Sequence, residues 1–381
     1  MKPVFKLAMA AALGLALVPS GASAQKVTLN VITAGDQNMV DYVKDYLGPI
    51  FEKQMPNVAI SSVGTGPGDA GSQKIAEKII AQKDRATWDV DVAVIHQKMA
   101  GDLVQAGLLA PYTKDVASGK MVTSENSKLA LGAKVEGYVI PMFNSQTAIA
   151  YNPVLVKNPP KTYAEIEAWS KANPKQFGYN GIKGGMSGVS FVVGWVYANA
   201  PNAEQLTSGP YDPKIEAAWD PALAKLKEFN KTATITPGNA GTLDMLNRGE
   251  IAIGPVWVDM FYSWIADGKL PPTTKLSLIG PGMPGQPMYY VIPAKAANMD
   301  AAKKFVELAT SPAVQAEGIV KKFNWYPGID AQHVKSQLDD ATWNKLFVDV
   351  TPNDLQTKGK AFPIKEYFDD ILQAYEKKVM N

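Results

Sequence analysis

The stretch SSVGTGPGDAGSQKIAEKII, residues 61–80, sets four glycines between a strand-like run and a helix-like one. Such loops hold phosphate in nucleotide enzymes. A P-loop, however, ends in Gly-Lys-Ser/Thr, and here the chain reads Gly71-Ser72-Gln73. A dinucleotide fingerprint needs a third glycine where Asp69 stands. What remains is a helix start with free N–H groups and a partial positive charge, to which Ser72 adds a hydroxyl. That end suits a carboxylate, sulfonate, phosphate or sugar hydroxyl, although capping by Asp69 or Ser72 would use the same residues. A second glycine-rich turn, GIKGGMSGVS at 181–190, offers Ser187 and Ser190 at another helix start. It is no nucleophile elbow, because Val189 takes the place of the closing glycine.

The sequence offers Asp36, Asp69 and Asp259 as candidate acids and His96 as a candidate base, and nothing places them at catalytic spacing. His96 ends a predicted strand and can donate to a ligand. Trp257 can cover the apolar face of a ligand, with Asp259 two residues on to take an ammonium or hydroxyl. Asn144 offers a donor and an acceptor together, and Ser145 follows it. His96 and His333 are the two histidines, lack metal-ligand spacing, and are joined by no cysteine. Neither a metal nor a cofactor is expected.

The elements that must position these residues alternate between strand and helix. KVTLNVIT (26–33), NVAISSVG (57–64) and WDVDVAVIH (88–96) read as strands, and MVDYVKDYLGPIFEKQM (39–55) has helical spacing. This order argues for an α/β sheet with parallel pairs. The loops GDQN with Gln37, GTGPGD with Thr65 and Gly66, and HQKM with His96 each follow a strand, and the ligand edge of such a sheet gathers them. GYVIPMFNSQTAIAYNPVLV (137–156) is a long extended crossover, after which the pattern restarts with helices and a buried strand at 249–257. Two lobes joined by crossovers are expected: residues 25–144 with about 286–325, and residues 145–285 with about 326–381.

Residues 1–24 differ from the rest. Lys2 and Lys6 precede an apolar run from Leu7 to Val18, and Ala22-Ser23-Ala24 closes the segment. This is the pattern of a cleaved secretory leader. Without Lys2 and Lys6 the charges balance at 36 basic and 36 acidic residues, so no electrostatic footprint for nucleic acid is expected. The absence of cysteine excludes disulfides and thiolate chemistry.

GLLAPY (107–112), LNRGEIAIGPVW (246–257) and YYVIPAKAANMDAAKKFVELATSPAVQAE (289–317) resemble the bacterial extracellular solute-binding proteins of ABC importers. The subgroup is the one containing spermidine/putrescine, ferric-iron and thiamine binders. The resemblance implies a type II-like periplasmic-binding-protein fold: a hinged, two-lobed α/β clamp with its ligand in the cleft. It also implies a monomer in the periplasm that hands cargo to an inner-membrane ABC permease, with no bond made or broken. In the polyamine binders a Trp at the place of Trp257 packs on the ligand. Their strand before Ile292-Pro293 carries a Trp and an Asp where this chain has Gln286 and Met288. Ser187 and Ser190 stand where they carry acids. These departures point to a zwitterion, organic anion or polyol, with a polyamine- or thiamine-type cation as the alternative. Met288 or Tyr290 lines the cleft from alternate positions of one strand. Iron-binding members use paired Tyr, but Tyr289 and Tyr290 are adjacent and point to opposite faces. An exported hydrolase is the competing class, and it would need a nucleophile–base pair or coupled carboxylates.

Overall fold

The computed structural model describes residues 26–380, apart from 124, 202, 209, 347, 352–353 and 355–357; the expected leader lies outside the described residues. Three parallel strands open the fold: β1 (Val27–Ala34), β2 (Val58–Gly66) and β3 (Val92–Ile95). A helical segment over 37–54 joins β1 to β2, widening into π turns over Tyr42–Leu47. The helix Gly68–Ile80 joins β2 to β3. A short hairpin, β4 (Leu129–Ala130) and β5 (Ala133–Lys134), precedes the crossover. The crossover itself is one strand, β6 (Ile140–Tyr151). Then come β7 (Gly178–Tyr179), β8 (Thr234–Ile235), β9 (Ile253–Trp257), β10 (Lys275–Ser277), β11 (Gly285–Val291) and β12 (Tyr326–Pro327).

β6 belongs to two neighbourhoods at once. Its first half pairs antiparallel with β11, from Ile140 opposite Tyr290 to Gln146 opposite Gly285, and with β12 at Phe143 and Asn144. Its second half, from Thr147 to Tyr151, pairs with β9, and Ile149 to Tyr151 also pair with β10. β11 returns antiparallel to β3, which completes the order β2-β1-β3-β11-β6-β10.

Two apolar cores follow from this exchange. The first collects Leu29, Val31, Val92, Val94, Tyr289, Val291 and Phe305 around the parallel strands. The second collects Ile149, Phe177, Phe191, Trp195, Phe229, Ile253 and Ile371. The helix Met186–Asn199 is apolar all round and runs buried through the second core. The helix Tyr163–Ala172 starts where Thr162 accepts from the Glu165 N–H at 3.2 Å.

The cores also touch away from β6. The hairpin packs on the helix Gln97–Gln105, while its tip residue Leu131 is buried with the second core. The Leu131 carbonyl accepts from the Lys365 N–H at 3.0 Å. Lys98 pairs with Asp369 at 2.5 Å, and Lys365 pairs with Asp102.

Gly254 lies where β9 leaves no room. A Cβ there would stand 2.2 Å from the Gly178 carbonyl oxygen. Gly254→Ala is expected to lower the unfolding free energy by about 2 kcal/mol or more, because backbone has to move. Urea denaturation measures it.

Candidate ligand-binding cavity

The loops that end β1, β2 and β3 converge on a cavity of about 30 Å³ between the two cores, lined in part by Asp36, Gly68 and His96. Gly35 makes the first of these turns with φ +123°, and Met39 Sδ would lie 2.2 Å from any Cβ there. The side chains of β6 and β11 add a floor. Phe143 and Ser145 alternate with Asn144, and Gln286 and Met288 alternate with Pro287, so each pair of next-nearest neighbours faces the cavity. The second core closes the other side with Met186, Asn239, Trp257, Asp259 and Met260.

Two carboxylates dominate the electrostatics. Asp259 is 2% exposed; burial pushes its carboxyl up to about 7, and the charge of Asp36 adds to the rise. The Ser145 hydroxyl, which donates to Asp259 Oδ1, and backbone N–H groups partly offset this. Burial also raises Asp36, against a hydrogen bond from Asn239 and the nearby His96. Burial lowers His96, so the imidazole is neutral near pH 7. No lining residue is Lys or Arg. The cavity therefore holds two acids that no permanent cation balances.

The structure separates the residues predicted from sequence into two sets. Trp257, Asp259, Ser145, His96 and Met288 line the cavity. The others do not, and their side chains are engaged elsewhere. Ser72 is fully buried: its Oγ accepts from the His96 N–H at 2.9 Å and meets His96 Nδ1 at 3.0 Å, so it orients the imidazole from behind. Thr65 donates to the Gly71 carbonyl at 2.9 Å, and the Gly66 carbonyl accepts from the Gly35 N–H at 2.9 Å. Gln37 donates to Asp41 at 2.8 Å on the surface. Asn144 points to the opposite face of β6 and donates to the Pro327 carbonyl at 2.7 Å. Ser187 and Ser190 are buried; Ser187 bonds Asn239, and Ser190 bonds the Pro284 carbonyl at 2.6 Å.

Tyr290 is fully buried in the first core rather than sharing the cavity with Met288. Tyr290 lies deeper in the sheet than Met288, paired with Val94 and Ile140, and Phe305 packs edge-on against its ring. Tyr289 is fully buried as well. Sequence reasoning left Asn239, Gln286, Phe143 and three of the methionines out of the site. Asp36, at the end of β1, was weighed there only as a catalytic acid.

The Ser72–His96 pair has the separation of a nucleophile and its base, but the hydroxyl is sealed from the cavity. A larger groove, about 510 Å³, runs beside the Leu131 contact. Lys98, Asp102, Lys365 and Asp369, which line it, form two ion pairs with one another.

This arrangement is that of a solute-binding fold, and the chain belongs to the bacterial extracellular solute-binding protein family, whose pattern matches residues 50–330. A spermidine/putrescine ABC transporter substrate-binding protein of Streptococcus pneumoniae superposes with a TM-score of 0.68 at 15% identity, over 93% of this chain and 99% of that one. A solute-binding protein of Thermotoga lettingae bound to α-D-tagatose gives 0.70 at 15% identity, over 93% and 95%. A maltose-bound T. maritima protein gives 0.66 at 12% identity, over 92% and 99%. These likenesses fix the fold, and they span different cargoes. No helix among the described residues is long and apolar enough to cross a membrane.

The raised Asp259 carboxyl has a consequence for stability. A carboxyl that titrates higher in the folded state takes up its proton there first, so stability rises as pH falls from about 7 towards the ordinary carboxyl range and is flat above. His96 acts oppositely below its ordinary value of 6.5. Thermal unfolding of wild type and Asp259→Asn between pH 4.5 and 8.5 separates the two. The difference between the proteins is expected to change with pH by an amount on the order of a few kcal/mol, with wild type gaining on the acid side.

Proposed function

We propose that this chain captures a small solute bearing an ammonium group and delivers it unaltered from the periplasm to an inner-membrane ABC permease. The two acids, Asp36 and Asp259, in a cavity without Lys or Arg carry this reading. A buried carboxylate is costly until a counter-charge reaches it. An ammonium supplies that charge, and Trp257 and Phe143 supply aromatic surface for the carbon skeleton or for a cation–π contact. An organic anion would meet like charge. The helix-start hydroxyls that argued for anions or polyols, those of Ser72, Ser187 and Ser190, are spent inside the protein. A zwitterion fits only where Asn239 or Gln286 donates to its carboxylate.

The cavity has room for about one water. A solute enters by parting the walls, so we assign the lobes of the clamp to residues 26–144 with about 286–325, and to residues 145–285 with about 326–380. Closure around the cargo shifts an open–closed equilibrium.

A thermal-shift screen at pH 8 tests the assignment with putrescine, choline, glycine betaine, mannitol and citrate. The ammonium compounds are expected to protect; a ligand at 100 times its Kd adds about 2.7 kcal/mol. Asp259→Asn is expected to weaken that protection by tenfold or more in Kd, and mass spectrometry is expected to recover the solute unchanged. Protection by citrate or mannitol alone would overturn the ammonium assignment, and a changed solute would overturn the transport role.

A further inference from the structure

Asn239 opens the helix Asn239–Asn247 in the second core, yet it lines the cavity with Asp36, and its side chain holds that carboxyl down against the effect of burial. Which way its amide faces decides whether it presents donors or an acceptor to that carboxylate. Two backbone groups settle the question, since neither can change its role. The Ser187 N–H can only donate, and it lies 3.3 Å from Asn239 Oδ1. The Gly185 carbonyl can only accept; it takes Asn180 Nδ2 at 3.3 Å, and the same Nδ2 donates to Asn239 Oδ1 at 3.0 Å. The Ser187 hydroxyl lies 2.8 Å from that oxygen and 3.2 Å from Asn180 Oδ1, and its single proton goes to the nearer acceptor. Three donors converge on one oxygen, so the Asn239 NH2 must face the other way.

The glycines of the 181–185 turn make this arrangement fit. A Cβ on Gly185 would lie 2.5 Å from Asn239 Oδ1, and one on Gly184 would lie 3.0 Å from the Gly238 backbone. Asn180 and Ser187 are buried, at 3% and 0% exposure. A polar set of this kind, enclosed and satisfied, fixes one orientation.

We propose that Ser187, together with Asn180, is a positioning residue for solute capture: it locks the Asn239 amide so that its NH2 donates to Asp36 and ties the two walls of the cavity together. The remaining lone pairs of Asp36 are then left for the cargo. This rests on the cavity being the cargo site, but the experiment needs no cargo, so the two ideas fail separately.

The readout is the titration of the Asp36 carboxyl carbon by NMR in the ligand-free protein. The other titratable groups facing Asp36 are His96 and Asp259, and every variant keeps both. Asn239→Ala is expected to move the Asp36 midpoint upward, because a donor to the charged form is lost. Ser187→Ala is expected to move it the same way by a smaller step. Asn180→Ala removes the other side-chain donor, is expected to do the same, and serves if Ser187→Ala does not fold. The double variant Ser187→Ala/Asn239→Ala should match Asn239→Ala alone, since Ser187 acts through that amide. An Asp36 titration unmoved in the folded Ser187 or Asn180 variant, or in Asn239→Ala, overturns the proposal. So does a Ser187→Ala step that adds in full to the Asn239→Ala step.

Discussion

β6 exchanges its hydrogen-bonding partners between Gln146 and Thr147, and the cavity is placed by that exchange. Each half of the strand is flanked on both sides, by β11 and β12 and then by β9 and β10. Its backbone donors and acceptors are thus committed to both cores. Ser145 stands just before the exchange and reaches Asp259. Asp259 in turn follows Trp257, the partner of Thr147 just after the exchange. A continuous strand is a short link, so Ser145 on the cavity floor is held by backbone that both cores share.

The fold alone does not choose a cargo. The same architecture holds tagatose in one neighbour and maltose in another, at identities too low to carry site residues across. The choice rests on a few side chains and on what each has left to offer. Serine hydroxyls are frequent in helix starts, but an Oγ already bonded to its own protein is no longer free to a solute. Carboxylates differ. Ser145 gives Asp259 one neutral donor, and the neutral Asn239 side chain favours the charged form of Asp36. A neutral donor eases desolvation without cancelling the charge.

Much of the fold was legible because periodicity is local. The runs 26–33 and 57–64 become β1 and β2 displaced by a residue or two, and the crossover at 137–156 contains β6. The run 88–96 splits: Trp88 makes only an isolated bridge to Ala296, and the regular strand begins at Val92. The site was legible only where position in the topology reveals it, as at His96, Trp257 and Asp259. Asn239 escaped because its partner Asp36 is about two hundred residues away and the turn before it reads as any other Pro-Gly-Asn turn. Tyr290 was drawn into the site by strict alternation, but alternation fixes a face and not a depth, and Tyr290 lies between Val94 and Ile140 where the first core covers it.

The same two acids bear on how a clamp could tell loaded from empty. A ligand shifts a conformational equilibrium only by its differential affinity for the two states. In the proposed mechanism, closing an empty cleft brings Asp36 and Asp259 together out of water, with their charges opposing. Protonation relieves this on the acid side of neutrality, and an ammonium relieves it at any pH where both acids are ionised. A neutral sugar of the same size would fill the space but leave the repulsion in place. Selection and closure then share one origin, because the charge that makes a solute bind is the charge that makes the closed state affordable.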